Sequence, residues 1–484
     1  MTWVCAYPAC VYPAGQGQLF RFEEVMKISA FALCLAALGA ATAAGYAQPS
    51  DKPDKNDPLA SAAALIADHS TKNGAAPMLT LEDAERIAMA QNPEIHVAAR
   101  RVVMAEAHVP AVGALDDPQF MYRAWQVPLT KPWDYNAAQN MFMYSQALPG
   151  AGKRGLQSSI AQSDVLQAKD DLEDARLRVR VEVRKAFYDL LLAQDELQIH
   201  DEHVDIAKQA IEAARIRYTA GKVPQQDLLK AQLALTQLAE HLIRFDRDAA
   251  VARARLNTLL GREAATPVEA HGDYEVKQTL PEEQSLVQMA FQSRPDLLAA
   301  QAAAEKSHKE QALAKKAYTP DFTVSGGYML MPAGTSPRND YMFEGSMTLP
   351  WLDHRRHDGE IAEAAAKVTE QEAELEAMRN EARGQIGEAL AEARAAQRLA
   401  AVYQDSLRPQ SEATLHAAVI AYENNQTELL DLLDSQMTVI DVDLGWRQAM
   451  GDFSSRMAEL EMAVGALPTG AQIGAQIAAP EVKQ

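Results

Sequence analysis

The sequence predicts a mainly α-helical fold that also carries strands of a membrane β-barrel. Three observations predict it. The chain repeats itself, its alanine-rich helical stretches are too long for an ordinary globular domain, and four short strands alternate between an apolar and a polar face. The repeat is plainest in two pairs of stretches. "YTAGKVPQQDLLKAQ" from Tyr218 lies on "YENNQTELLDLLDSQ" from Tyr422, so that Tyr218, Asp227, Leu228, Leu229 and Gln232 match Tyr422, Asp431, Leu432, Leu433 and Gln436. "LTLEDAERIAMAQNPEI" from Leu79 aligns with "LPEEQSLVQMAFQSRPDL" from Leu280, with Asn92-Pro93 against Arg294-Pro295.

Residues 1–47 read as an upstream segment and secretory signal. Met26-Lys27 opens an apolar run, Ile28 to Leu38, and the small residues of "GAATAAGYAQ" follow, with a cleavage site at Gly45-Tyr46-Ala47. The run is too short to cross a bilayer as a helix. Met26 is therefore the expected start, and residues 48–78 are an N-terminal extension. Cys5, Cys10 and Cys34 all fall in the removed part, which leaves no disulfide, thiolate metal site or cysteine nucleophile in the processed chain. The bulky Leu33 before Cys34 argues against lipidation there. The net charge of −20 survives processing, since Arg21 and Lys27 balance Glu23 and Glu24. A chain this acidic has no electrostatic case for nucleic acid.

The first repeat spans 79–262. Thr80 with Asp83 resembles a capping box that starts a helix. Pro93 breaks that helix, and two strands follow near 118–127 and 140–149. After the basic turn Lys153-Arg154 comes a rod. Gly155 to Tyr218 as one helix reaches about 95 Å at 1.5 Å per residue. Its apolar positions, among them Val181, Val183, Phe187, Leu190, Leu191 and Leu197, step by three and four residues, as in a coiled coil. Gly221 and Pro224 mark its turn, and a second rod returns to about Leu260. A linker, 263–279, leads to the second repeat, 280–465, with strands near 320–332 and 341–350 and a basic turn at Arg355-Arg356. Residues 466–484 lack a sustained period and read as a flexible tail.

The strands indicate their solvent. Phe120, Tyr122 and Ala124 alternate with Gln119, Met121 and Arg123; Phe142, Tyr144 and Leu148 alternate with Met141, Met143 and Ser145. Phe322, Val324, Tyr328 and Leu330 alternate with Thr323, Ser325, Met329 and Met331; Tyr341, Phe343 and Leu349 alternate with Met342, Glu344, Ser346 and Thr348. Each run is near the ~9–11 residues of a tilted transmembrane strand, with Trp125 and Trp351 as interface anchors. The alternative is a soluble sheet on a core, but no helix outside the rods is left to cover it. An open sheet edge is not tolerated in lipid, and four strands are too few to close alone, so several chains must share one barrel.

These marks, with "SQALPGAGKRG", "SRPDL", "LPWLDHRR" and "LLDLLDSQ", resemble the TolC-type outer membrane efflux proteins of Gram-negative bacteria from about Leu79 to Gly465. "GKRG" looks most like the heavy-metal efflux branch. The resemblance implies a homotrimer, four strands per chain in a shared twelve-stranded barrel in outer membrane lipid, and a helical tunnel crossing the periplasm. It also implies a periplasmic adaptor (membrane fusion) protein and an inner-membrane pump of the resistance-nodulation-division type. The acylation cysteine of many relatives is absent. On this reading the duplicated stretches are the tips of two helical hairpins. Gly221, Lys222, Val223, Asn424 and Asn425 are then candidate adaptor contacts. In the family an acidic residue with a leucine one turn earlier narrows the tunnel. The matching positions are Asp434 and Leu430, with Asp431 beside them as a third gate candidate. The first tip has Lys230 where the second has Asp434, so the tips play different roles.

The sequence holds no phosphate-cradling glycine loop, no "HExxH" and no serine motif with a placed base, so no enzyme and no cofactor is expected. His200 and His203 form either a metal pair or part of a solvated face. His354 and His357 flank Arg355 and Arg356, which repel a cation, so a structural turn is expected there. Six methionines, Met121, Met141, Met143, Met329, Met331 and Met342, fall on the polar phase of their strands, and only Met347 falls on the other. Thioether sulfur suits soft ions such as Cu(I), although methionine is also a flexible filler. The expected function is a passive exit duct, with heavy metal ions favoured as cargo. The alternatives are drug or organic-toxin efflux, type I protein secretion, and a periplasmic coiled-coil structural protein.

Overall fold

The computed structural model describes residues 77–221, 223–274, 280–337, 339–424 and 426–465, apart from the side chains of Glu423, Leu429 and Leu430. β1 (Met78–Leu79) leads into α1 (Leu81–Gln91) and α2 (Pro93–Gly113). Thr80 caps α1: its hydroxyl accepts from the Asp83 amide at 3.2 Å and donates to the Asp83 carboxylate at 3.1 Å. Asp83 thus answers the hydroxyl of Thr80, where a full capping box would have it accept from the backbone. Pro93 opens α2, where its missing N–H costs nothing, and Asn92 caps the helix by accepting from Glu94 N at 2.8 Å.

The rods follow. α3 (Lys153–Thr219) is one helix of 67 residues, and α4 (Gln225–Leu259) returns beside it. β4 (Glu269–Ala270) then pairs with β1 in a short parallel ladder. The second repeat copies the plan. α5 (Glu283–Ser293) and α6 (Pro295–Lys315) are split by Pro295, α7 (His354–Val402) and α8 (Arg408–Glu423) form the outgoing rod, and α9 (Leu429–Val464) returns. One feature departs from the unbroken rod that the sequence predicts: a π-helical segment, Tyr403–Leu407, joins α7 to α8. Pro409 has no amide hydrogen, and its ring crowds the carbonyl of Asp405 four residues back. A widened turn accommodates both defects.

The two repeats bury matching cores. Ala84, Ala88, Val183, Phe187, Leu256 and Leu260 pack together in the first; Leu286, Ala290, Ile386, Leu390, Leu460 and Val464 occupy the corresponding places in the second. Each is sealed from solvent, which stabilises by roughly 1.5–3 kcal/mol for each of the larger side chains. The returning rods end on Gly261 and Gly465, at φ 69° and 89°. A Cβ on Gly261 would lie 2.9 Å from the Gln91 carbonyl oxygen, and one on Gly465 2.6 Å from Arg294 Cα. The helix breaks reach back to these ends. Asn92 Nδ2 donates to the Leu259 carbonyl at 2.9 Å, and Arg294 Nη1 donates to the Ala463 carbonyl at 3.0 Å. Two different residue types therefore satisfy equivalent orphan carbonyls.

β2 (Gln119–Trp125), β3 (Gln139–Leu148), β5 (Phe322–Leu330) and β6 (Asn339–Met347) form one antiparallel sheet in the order β2-β3-β5-β6. Register runs unbroken through all three pairings, with Tyr122 opposite Phe142, Phe142 opposite Tyr328, and Tyr328 opposite Tyr341. The aromatic face is bare: Phe120 is 70% and Phe343 86% exposed. β2 and β6 are the open edges, with no further strand beside them among the described residues. Three expected strand residues fall outside: β5 ends before Met331, and β6 ends before Thr348 and Leu349. The proline steps Met331-Pro332 and Leu349-Pro350 end both strands, because proline offers the ladder no donor. Trp125 ends β2 and Trp351 lies in a 3-10 turn just beyond β6; both are exposed. No helix among the described residues is long and apolar enough to cross a membrane.

Candidate functional site

The first tip is built by the end of α3. Ala220 N donates to Ile216 O at 3.1 Å and Gly221 N to Tyr218 O at 2.9 Å, and Gly221 turns the chain outward at φ 67°. Val223 is half-buried; Lys222 lies outside the described residues. At the second tip, Asn424 closes α8 through its amide N and its Nδ2, which donate to Ile420 O at 3.2 and 2.8 Å. Asn425 also lies outside the described residues. The tips touch: the Arg217 guanidinium stacks on the Tyr422 ring at 4.6 Å and donates to its hydroxyl. The duplicated tyrosine of the second repeat thereby becomes the seat of a cation from the first.

The three gate candidates separate. Asp431 accepts from Glu428 N at 3.3 Å and from Thr427 Oγ1 at 2.6 Å, and the Glu428 side chain answers the Asp431 amide. It closes a capping box, so its carboxylate is committed to starting α9. Asp434, one turn on, is exposed and has no side-chain partner among the described residues. Leu430 stands in the first turn of α9, one turn before Asp434; its side chain lies outside those described. Lys230 is exposed on α4.

His200 and His203 are not on a solvated face. They are 1% and 7% exposed, inside the packing of the rods. His200 meets Phe245 edge-on at 5.7 Å, and Phe245 also meets His241 at 6.3 Å. Burial pushes the His203 imidazole below its ordinary pKa; Asp441 opposes that shift and His241 adds to it. The solvated reading fails because three- and four-residue steps place residues 200, 203, 204 and 207 on one inward stripe. Among the described residues no three histidine, cysteine or carboxylate side chains gather to hold a metal ion.

The sheet register gathers the methionines. On the face opposite the aromatic one, Met121, Met143, Gly327 and Met342 form one row across the four strands. Arg123, Met141, Met329 and Asp340 form the next. Met143 is buried, the other four are half-buried, and Met347 falls on the aromatic face as predicted. Two of these sulfurs have donors: Arg123 Nη2 lies 3.6 Å from Met121 Sδ, and Gln139 Nε2 donates to Met329 Sδ.

Below the sheet the junction is dense. Asp321 accepts from Gly150 N at 2.6 Å and from Lys153 Nζ at 2.8 Å. Tyr318 packs on both His354 and His357 and donates to Asp358 at 2.7 Å, while His357, buried, bonds Glu360 at 3.1 Å. This is a structural turn. A further belt lies midway along the rods. Arg447 bridges Asp195 (2.8 Å) and Asp443 (3.5 Å), and Arg408 pairs with Asp443 (3.2 Å) and covers Trp446 at 4.4 Å. Tyr274 donates to Asp195 at 2.8 Å, and burial followed by that carboxylate pushes its phenol upward. Sequence reasoning missed this belt, whose members come from both repeats and share no motif.

The family described as outer membrane efflux protein matches residues 85–262 and 286–466. The cobalt-zinc-cadmium resistance protein CzcC of Cupriavidus metallidurans is 23% identical over 377 residues, covering 78% of this chain and 88% of that one. In fold the chain resembles the outer-membrane channel OprN, with a TM-score of 0.67 at 18% identity over 87% of this chain and 98% of that one. It also resembles CusC, solved to follow conformational changes during folding and transmembrane channel formation, with a TM-score of 0.68 at 17% identity over 80% and 92% of the two chains. The family match takes in both repeats and most of the chain, and this chain belongs to the outer membrane efflux protein family.

Proposed function

We propose that the chain is the outer membrane component of a tripartite efflux system. It assembles as a homotrimer in which each chain gives four strands to one twelve-stranded barrel. The rods continue as a periplasmic tunnel, and a periplasmic adaptor and a resistance-nodulation-division pump deliver the cargo. The observation that carries this reading is the sheet. Its aromatic face is uncovered and both its edges are open, a combination that lipid accepts only in a closed barrel. Four strands cannot close one, so the missing strands come from other copies.

Heavy metal ions are the favoured cargo. The likeness to a cobalt-zinc-cadmium resistance protein supports metal. The two methionine rows support a soft ion within that class, because thioethers prefer Cu(I) or Ag(I) to Zn(II). Leu430 and Asp434 form the gate, and the tips around Gly221 and Asn424 meet the adaptor. Mass measurement of the protein extracted from outer membranes in mild detergent tests the assembly: three chains are expected, and a stable monomeric barrel refutes it. A deletion strain sensitive to copper or silver supports the cargo. Sensitivity to dyes and antibiotics with normal metal tolerance replaces it with organic toxins.

A further inference from the structure

We infer that α2 and α7 are the two halves of a charge-matched seam between neighbouring copies of this chain, basic on α2 and acidic on α7. The inference rests on the trimer reading above and names the surface that makes it.

α2 buries Ile95, Ala98 and Val102 against the rest of the chain. Its other side carries Val97, Arg101, Met104 and His108, spaced by four, three and four residues as in a coiled-coil seam, with Arg100 beside them. All five are exposed, and Val97 and Met104 are 53% and 68% bare. His96, Val97, Arg100, Arg101 and Met104 line a groove there. A bare apolar seam flanked by cations has no use in solvent.

α7 shows the complement. It buries Val368, Ala382, Ile386 and Leu390. The opposite side carries Glu363, Ala366, Glu370, Ala373, Glu374, Ala377 and Glu381, all exposed. Small side chains let another helix approach, and the glutamates stand beside that path. Glu363 and Glu370 have no ion pair among the described residues; Glu374 and Glu381 accept only from Gln371 and Gln385 on their own helix.

The heights agree. Glu94 meets Arg178 at 3.0 Å and Arg294 meets Gln385 at 2.7 Å, which puts the start of α2 level with the region of Gln385. Nearer the sheet, Glu106 meets Lys169 at 3.0 Å, Lys306 meets Asp164 at 2.6 Å and Lys367 meets Glu310 at 2.6 Å. Interpolated along the helices, Arg100 and Arg101 stand level with Glu381, Met104 with Ala377, and His108 with Glu374. Rotation about an axis along the rods preserves height, so a cyclic assembly carries α2 of one copy against α7 of the next. Within one chain these helices flank the layer made by α2, α3, α6 and α7, each at its free end.

The experiment uses full-length protein in outer membranes. Arg100→Glu with Arg101→Glu is expected to lower the trimer fraction severalfold, and Glu374→Arg with Glu381→Arg to do the same. All four changes in one chain restore the trimer, because every seam is then reversed alike. Met104→Cys with Ala377→Cys, in a chain whose own cysteines all lie in the expected signal region, is expected to form disulfides between chains in the oxidising periplasm. A trimer that tolerates both reversals and forms no cross-link overturns the seam and leaves the trimer standing. A monomeric wild-type protein overturns both.

Discussion

Lys153 and Asp321 join the two repeats at 2.8 Å, where the first rod leaves the sheet and the third strand enters it. The same carboxylate holds Gly150 N, so one side chain ties the end of the first hairpin to the start of the second. Burial raises the Asp321 pKa, but the Lys153 hydrogen bond, the Gly150 amide and the Lys153 charge outweigh it, and the net shift is downward. A depressed carboxylate contributes stability that is present above its unfolded pKa of about 3.9 and is lost as pH falls through the folded value. Asp321→Asn is expected to destabilise the junction by about 1 kcal/mol at pH 7, because the carboxylate is partly exposed. Heat-dissociation of the detergent-solubilised protein measures it, and the difference from wild type should shrink as pH falls through the lowered folded value of Asp321.

Tyr403 in the π segment leaves no room at Gly445. A Cβ there would lie 2.6 Å from the Tyr403 hydroxyl and 2.7 Å from its ring. Gly445→Ala is expected to cost about 1–3 kcal/mol through overpacking. Adding Tyr403→Ala should recover part of that loss in thermal melts. A Gly445→Ala protein as stable as wild type would show that the π segment shifts freely.

Asp431 and Asp434 are expected to respond differently. If Leu430 and Asp434 form the proposed gate, Asp434→Ala with Leu430→Ala is expected to raise single-channel conductance in planar bilayers. Asp431→Ala instead breaks the capping box with Glu428, which weakens the α9 start by about 1 kcal/mol and leaves conductance near wild type. Equal conductance changes in the two variants would contradict this division.

His203 is held neutral by burial, so its folded pKa lies below the unfolded value of about 6.5. Its contribution is present above pH ~6.5 and is lost as pH falls toward the folded value, since a proton must then enter the buried pocket. Helical stability should therefore drop between pH 7 and pH 5, and His203→Phe should flatten that drop. Circular-dichroism melts at the two pH values decide it, and an unchanged slope sinks the assignment.

The methionine rows predict a cargo effect. Replacing Met121, Met141, Met143, Met329 and Met342 with leucine keeps volume and removes sulfur. Such cells should lose part of their copper or silver tolerance and keep their zinc tolerance. Tolerance unchanged for every metal would make the rows mere packing.

What the sequence determined by itself was periodic. Strand alternation placed Phe120, Phe142, Tyr328 and Phe343 on one face and the methionines on the other, because a two-residue period survives without knowledge of the partner. Three- and four-residue steps located the rods, and duplication located both tips. Pro93 and Pro295 marked the helix breaks through their own covalent chemistry. Tertiary structure alone decided the rest. The order β2-β3-β5-β6 sets which methionines share a row, and pairing is a contact between segments up to about 190 residues apart. Asn92 and Arg294 perform one task with different side chains, so only their reach to Leu259 and Ala463 reveals the equivalence. The spacing of His200 and His203 with Val204 and Ala207 fits one helix stripe, but only the neighbouring rods decided that this stripe faces inward. The same holds for Arg217 and Tyr422, whose stacking depends on two tips meeting in space, a relation that no local propensity encodes.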